Sequence, residues 1–273
     1  PDLIKGNASV ESYRLAYQFE IFAAVPFSKK EIFVDAQTGE IVTSFNLIFN
    51  ADVAASGNAH YSCNNPVDIT ADNTGSFYRL HENGRGNGIY TRTSENTRST
   101  PNIDISSTED TFFDEDEDGV AVHYALEKTY DYLLEKHGRN SIDDNGYKLK
   151  AWVHYGNNWN NAMWLSGFAL FGDGDNAKYS ALTSIDIVAH EIAHGLTART
   201  AGLRYSYESG ALNESFSDIF GTLVEFYAEP ACADWLMGED VVVQNGKTAI
   251  RNMANPKDAT AISPQPDTYR GEY

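Results

Sequence analysis

The segment His190-Glu191-Ile192-Ala193-His194 sets two imidazoles four residues apart, and nineteen residues separate His194 from Glu214. On a helix, positions i and i+4 lie one turn apart on the same face, so both rings can reach one ion. Glu191, one position on, is turned by about 100° around the axis. It therefore stands outside the ligand plane, beside the ion's open position, where a carboxylate can take a proton from a water. Two histidines and a glutamate form a zinc ligand set that leaves the fourth position open, as catalytic zinc requires and structural zinc does not. Ile187, Val188, Ala189, Ile192 and Ala193 make the surrounding helix apolar. Buried histidines and a buried glutamate then need a cation to satisfy them. Asp218, four residues after Glu214, falls on the same face of a second expected helix, where it suits a carboxylate that orients a ligand histidine through its other ring nitrogen.

The elements that carry these residues follow from the hydrophobic pattern. Leu15, Tyr17, Phe19 and Ile21 alternate, which predicts a half-buried strand. Glu31–Val34 and Ile41–Phe45 flank a six-residue segment, 35–40, with a glycine at its end, which predicts a hairpin. Residues 50–58 are small and polar without a pattern, which predicts an exposed linker and a place for maturation cleavage. From about Gly57 to Asn160, short aromatic and β-branched runs alternate with Asn-Gly turns, the mark of a β-rich lobe. An amphipathic helix from Val120 to Lys136 interrupts it, entered through the acidic run Asp114–Asp118, which favours the positive end of the helix dipole. That run lacks the spacing of a calcium loop and reads as a solvated helix entry, and Gly172-Asp173-Gly174-Asp175 reads as a turn.

Composition limits the classes of function. With 273 residues, 42% of them hydrophobic, the chain can bury a full core. Its net charge of −19, from 39 acidic against 20 basic residues, argues against nucleic acid or an anionic membrane as partner and is compatible with secretion and bound calcium. No apolar run is long enough to span a membrane. Cys63 and Cys232 are too few for a disulfide framework, so a bridge, two buried thiols or a surface thiol all remain open.

Eight blocks in one order carry a wider resemblance: Trp152–Tyr155, Asn160–Trp164, Phe171–Asp175, the zinc motif, Thr200–Tyr205, Asn213-Glu214, Gly221–Tyr227 and Arg251–Met253. From about Gly57 the chain resembles the thermolysin family of zinc metalloendopeptidases, and the strand and hairpin before it resemble the end of a propeptide. The implied fold is α+β. A small antiparallel β propeptide unit with its linker (1–54) precedes a β-rich lobe with the zinc-binding central helix (55–205) and a truncated α-helical C-terminal lobe (206–273).

The resemblance implies one catalytic zinc on His190, His194 and Glu214, with Glu191 as general base on the water at its open position and Tyr205 as oxyanion donor. Asn161 and the Ala162 backbone would hold an extended peptide, Arg251 would meet a substrate carbonyl, and Asp218 would support a ligand. Leu182, Ile187, Met237 and Ile250 would receive a bulky apolar residue after the cut. Asp186, Glu225, Asp234 and Glu239 match calcium ligands. Leu236, standing where a relative with paired calcium ions has a glutamate, offers only a carbonyl, so one calcium is expected there. The implied partners are peptide substrates, the chain's own propeptide and a second polypeptide. The last is expected because the matching segment stops before a further oxyanion-donating histidine and most of the helical lobe. Ile219, Phe220, Leu223 and Phe226 would then lack partners. The expected activity is endopeptidase, held as a zymogen or nicked form, against a propeptide-inhibited binding assembly as the alternative, and the expected location is extracellular or periplasmic.

Overall fold

The computed structural model describes residues 2–5, 13–24, 27–46, 51–108, 111–269 and 271. The fold is α+β, as the pattern predicts. Strands β1 (Asp2–Lys5), β2 (Tyr13–Ala24), β3 (Phe27–Asp35) and β4 (Ile41–Asn46) form an antiparallel sheet in chain order. The expected hairpin joins β3 to β4: Asp35 Oδ1 accepts from the N–H groups of Gln37 (2.8 Å) and Thr38 (3.0 Å), and Gly39 supplies φ +74°. β2 alternates as expected but is not half-buried. Leu15, Tyr17, Phe19 and Ile21 are each 45–50% exposed, because no described residue covers the face they build.

The segment expected to be a linker is instead strand β5 (Ala51–Gly57), paired along its length with antiparallel β6 (Val67–Asn73), while Asn50 lies outside the described residues. Asp52 is tied further by both Asn83 N–H donors, backbone and side chain, at 2.9–3.0 Å. Alanine, serine and glycine carry little strand propensity, so pairing and close packing decide here. Ala55 and Gly57 point inward, and a Cβ on Gly57 would stand 2.6 Å from the Phe113 carbonyl and 2.9 Å from Val120. Residues 51–57 therefore do not offer the exposed, flexible chain that cleavage requires. With β7 (Tyr78–Arg79), β10 (Ser106–Ser107) and β11 (Phe112–Phe113), these strands make one sheet ordered β10-β7-β6-β5-β11.

A second sheet is ordered β13-β14-β12-β9-β8, from β8 (His81–Glu82), β9 (Ile89–Thr93), β12 (Leu149–Val153), β13 (Ala162–Leu165) and β14 (Phe168–Phe171). β12 runs parallel to both neighbours, whereas β13 is antiparallel to β14 and forms the edge. Helix α1 (Glu117–His137) packs on both sheets through Val120, Val122, Leu126 and Leu133, each almost wholly buried and each contributing about 1.5–3 kcal/mol. Its start bears out the solvated-entry expectation in part: Asp114, Glu115 and Glu117 are exposed, while two of the acids are engaged. Asp116 Oδ1 caps the Gly119 N–H at 2.7 Å, and Asp118 Oδ1 accepts from Thr183 Oγ1 at 2.8 Å. The turn expected at 172–175 falls later: 172–175 is irregular chain with Gly174 at φ +69°, and Asp175 opens a bend over 176–178 by accepting from Ala177 and Lys178.

Two further helices, α2 (Ile185–Arg199) and α3 (Tyr207–Ala228), cross closely because Gly221 has no side chain where an added Cβ would run into the Asp186 carbonyl. The short pair β15 (Leu236–Met237) and β16 (Arg251–Asn252) closes beside them. Of the four α3 residues expected to lack partners, Ile219 and Leu223 are exposed. Phe220 instead packs edge-on against Tyr132, with ring centroids 5.5 Å apart, and Phe226 against Trp235 at 5.1 Å. Cys63 and Cys232 form a disulfide that joins the loop after β5 to the loop after α3.

Candidate metal and catalytic site

Helix α2 presents His190, Glu191 and His194 to a cleft of about 640 Å³, and α3 presents Glu214 to it. His190 Nε2 lies 3.4 Å from Glu214 Oε2, and His194 Nε2 lies 3.4 Å from Oε1. Around a tetrahedral zinc with bonds of about 2.1 Å, neighbouring donors stand roughly 3.3 Å apart, so this spacing fits one ion between them. The outer ring nitrogens are also engaged. His190 Nδ1 lies 2.8 Å from Asp218 Oδ1, and His194 Nδ1 lies 2.7 Å from Asn213 Oδ1 and 3.2 Å from Ser217 Oγ. The bonds to His194, and the Asp218 carboxylate close beside His190, favour the tautomer that leaves Nε2 with its lone pair toward the cleft.

The electrostatics are those of a pocket built around positive charge. Burial opposes protonation of His190, yet Asp218 and Glu214 outweigh it and push its pKa up to about 9. Burial likewise opposes ionisation of Glu214, but His190 and Tyr205 hold it down at about 2. A proton on His190 thus stands where a metal cation would balance the same carboxylates. Glu191 is raised by burial, against the two imidazoles. Tyr205 donates to Glu214 Oε1 at 2.5 Å, and that bond and then burial raise its hydroxyl to about 12.

Arg251, on β16, grips Asp218 with Nε and Nη2, both at 2.6 Å. The pair is bidentate, and Asp218 is held low despite its burial by His190 and Arg251 together. Ala162 opens the edge strand β13, and Asn161 precedes it, exposed at the cleft, with its carbonyl accepting from the Gly172 N–H at 3.1 Å. Leu182, Ile187, Met237 and Ile250 come together as the apolar part of the same cleft. No described residue of β1 to β4 lines it.

A second carboxylate cluster sits behind α2. Asp186 accepts from Ser184 Oγ at 2.6 Å, from the Ile187 N–H at 2.7 Å and from the Gly238 N–H at 2.5 Å. Glu225 Oε2 and Glu239 Oε2 are buried without a hydrogen-bond partner among the described residues. Burial first, then Asp186, Glu239 and Asp234, push Glu225 up to about 9. Carboxylates packed so closely need protons or a hard cation, and orphaned buried oxygens fit calcium. Asp234 Oδ1 is turned to the Leu236 N–H at 2.6 Å. Sequence reasoning missed Asp240, raised to about 6 by burial and Asp186, and the buried Glu229, which accepts from Ser62 Oγ and the Cys63 N–H. It also missed Asn213 and Ser217 as supports of His194. The signal available was Asn213's place next to Glu214.

Comparison with known proteins gives the family. A family model described as "Thermolysin metallopeptidase, catalytic domain" matches residues 54–198, and one described as "Thermolysin metallopeptidase, alpha-helical domain" matches 201–273. Bacillolysin of Brevibacillus brevis is 38% identical over 268 residues, covering 96% of this chain and 47% of the relative. Thermolysin of Bacillus sp. strain EA1 is 34% identical over 278 residues, covering 96% and 50%. A solved structure, the precursor of protealysin, a metalloproteinase from Serratia proteamaculans, is similar with TM-score 0.61 and 33% identity. It covers 68% of this chain and 60% of that chain. The chain spans about half the length of the curated relatives it matches.

Proposed function

Because this chain belongs to the thermolysin metallopeptidase family, we propose that it acts as a zinc-dependent endopeptidase cutting before bulky apolar residues. The observation that carries the reading is the pair of histidine Nε2 atoms, each 3.4 Å from one oxygen of Glu214, with the buried Glu191 beside them on an open cleft. Zinc held there would supply a Lewis acid for the scissile carbonyl and make water a stronger acid. Glu191 takes the proton of the attacking water and passes it to the leaving amine, and burial suits it to both transfers. Tyr205, whose hydroxyl is held above its usual range by its bond to Glu214 and by burial, turns that one hydrogen from Glu214 Oε1 to the developing oxyanion. Arg251 spends Nε and Nη2 on Asp218, and its Nη1 serves a substrate carbonyl. The free edge of β13, starting at Ala162 after Asn161, pairs with an extended peptide. Leu182, Ile187, Met237 and Ile250 select the apolar side chain after the cut.

The same reading places one structural calcium on Asp186, Glu225, Asp234, Glu239 and the Leu236 carbonyl, supported by the two orphaned oxygens. It takes the sheet of β1 to β4 as propeptide end, β5 through residue 205 as β-rich lobe with zinc helix, and 206–273 as helical lobe, in a secreted zymogen; the expected boundary at 54 would split β5. The likeness to a precursor structure supports the propeptide. Glu191→Gln tests the chemistry. Zinc content should be unchanged while peptide hydrolysis falls by about 10²–10⁴-fold. Loss of zinc along with activity would move Glu191 into the ligand set and sink its role as base.

A further inference from the structure

The cleft's edge strand is held to the zinc helix by a stack that the catalytic scheme does not use. Trp164, on β13, lines the cleft together with Glu191. Its indole packs against α2 just past His194. A Cβ on Gly195 would stand 2.6 Å from Trp164 Cζ2 and 2.8 Å from Cε2. The guanidinium of Arg199 lies 4.1 Å from the Tyr147 ring centroid and 5.8 Å from that of Trp164, and Nη1 donates to the Gly195 carbonyl at 3.1 Å. Tyr147 in turn donates its hydroxyl to the Gly167 carbonyl at 3.0 Å, in the tight turn between β13 and β14, where Gly167 has φ +110°.

These contacts form a closed circuit: helix backbone, Arg199, Tyr147, the β13–β14 turn, Trp164 and back to the helix. An arginine that only capped the end of α2 would need the Gly195 bond alone. A planar cation set against two rings does more, since it opposes sliding of either ring. We propose that Arg199 is a positioning residue for peptide binding, holding Trp164 and with it the edge strand β13 at a fixed distance from the zinc helix. This rests on the endopeptidase reading above. A β13 freed from the stack would bind an extended peptide less well while the metal ligands, set by α2 and α3, stay in place.

The test compares Arg199→Gln, Arg199→Lys and Gly195→Ala in the whole protein. Each is assayed with a long peptide that reaches along β13 and with a short blocked dipeptide amide that spans little more than the cut bond. Zinc content and Tm are followed in parallel. For R199Q, KM for the long peptide should rise about fivefold with kcat within twofold, the short substrate should change by less than twofold, and zinc content should hold. R199K, which keeps charge without planarity, should recover part of that loss. G195A should give the same KM pattern from the other side of the indole, although alanine favours the helix itself. Equal losses on both substrates, or a lower Tm with KM unmoved, would make Arg199 a helix cap and overturn the proposal. If the unsubstituted protein cuts neither substrate, the endopeptidase reading itself fails and takes this one with it.

Discussion

Asn213 and Ser217, like Glu214 and Asp218, stand four residues apart on α3, so one helix carries Glu214 and the outer partners of both cleft histidines, His190 and His194. Asn213 is itself oriented, because its Nδ2 donates to the Leu203 carbonyl at 3.2 Å and so turns Oδ1 to His194. Asn213→Ala should therefore weaken zinc binding by about 10–100-fold, whereas Asn213→Asp, which keeps an acceptor, should lose less. A competition titration against a chromophoric chelator reads both, and equal affinity in all three proteins would refute the role. The ligands and the base were legible in the sequence because helical spacing alone brings His190 and His194 to one face. The support given by Asn213, and the packing of Trp164 on Gly195, were not. They depend on how α2 meets α3 and β13, and no local spacing encodes that meeting.

At the scale of elements, legibility follows the strength of the local signal. α1 was expected at 120–136 and runs 117–137, with an acidic cap before it and Gly138 in the left-handed conformation after it. β5 was missed because its residues are small, and only its partner β6 and the backbone of Phe113 make it a strand. Between these elements sits His154, at the end of β12 with φ +53°. Its Nδ1 is 2.8 Å from Asp173 Oδ1, and its Nε2 is 3.2 Å from Asp116 Oδ1, the cap of α1. Burial works against the imidazolium, but the two carboxylates prevail and raise the pKa to about 10. A raised histidine stabilises the fold fully below its unfolded pKa of about 6.5 and progressively less up to its folded pKa. His154→Gln should thus lower Tm most near pH 6, with the gap to the parent closing toward pH 10 in calorimetric scans. A gap that does not vary with pH would show that His154 acts by packing alone.

For the molecule as a whole, acidity is concentrated where it costs most. The net charge of −19 was plain from composition, and the carboxylates near α2 were named by resemblance, but the disulfide was not decidable from two distant cysteines. It places Cys232 two residues before Asp234 and beside Glu229, so the loop carrying part of the acidic cluster is tied to the loop after β5. Without a cation, Glu225 is raised to about 9, Asp240 to about 6, and Glu239 is raised as well, chiefly by burial and then by their like-charged neighbours. A carboxyl whose folded pKa lies above its unfolded value of about 4.5 holds a proton that the unfolded chain releases, so stability falls as pH rises through that window. A calcium ion bound there would replace those protons and remove the penalty. With zinc kept saturating, Tm should differ little between calcium-free and calcium-loaded protein at pH 5. The difference should widen steadily to pH 9, and Glu225→Gln should narrow it by removing one of the charges that the ion balances. If added calcium shifts Tm by the same amount at every pH, the cluster is not relieved by the ion, and the calcium would have to bind elsewhere.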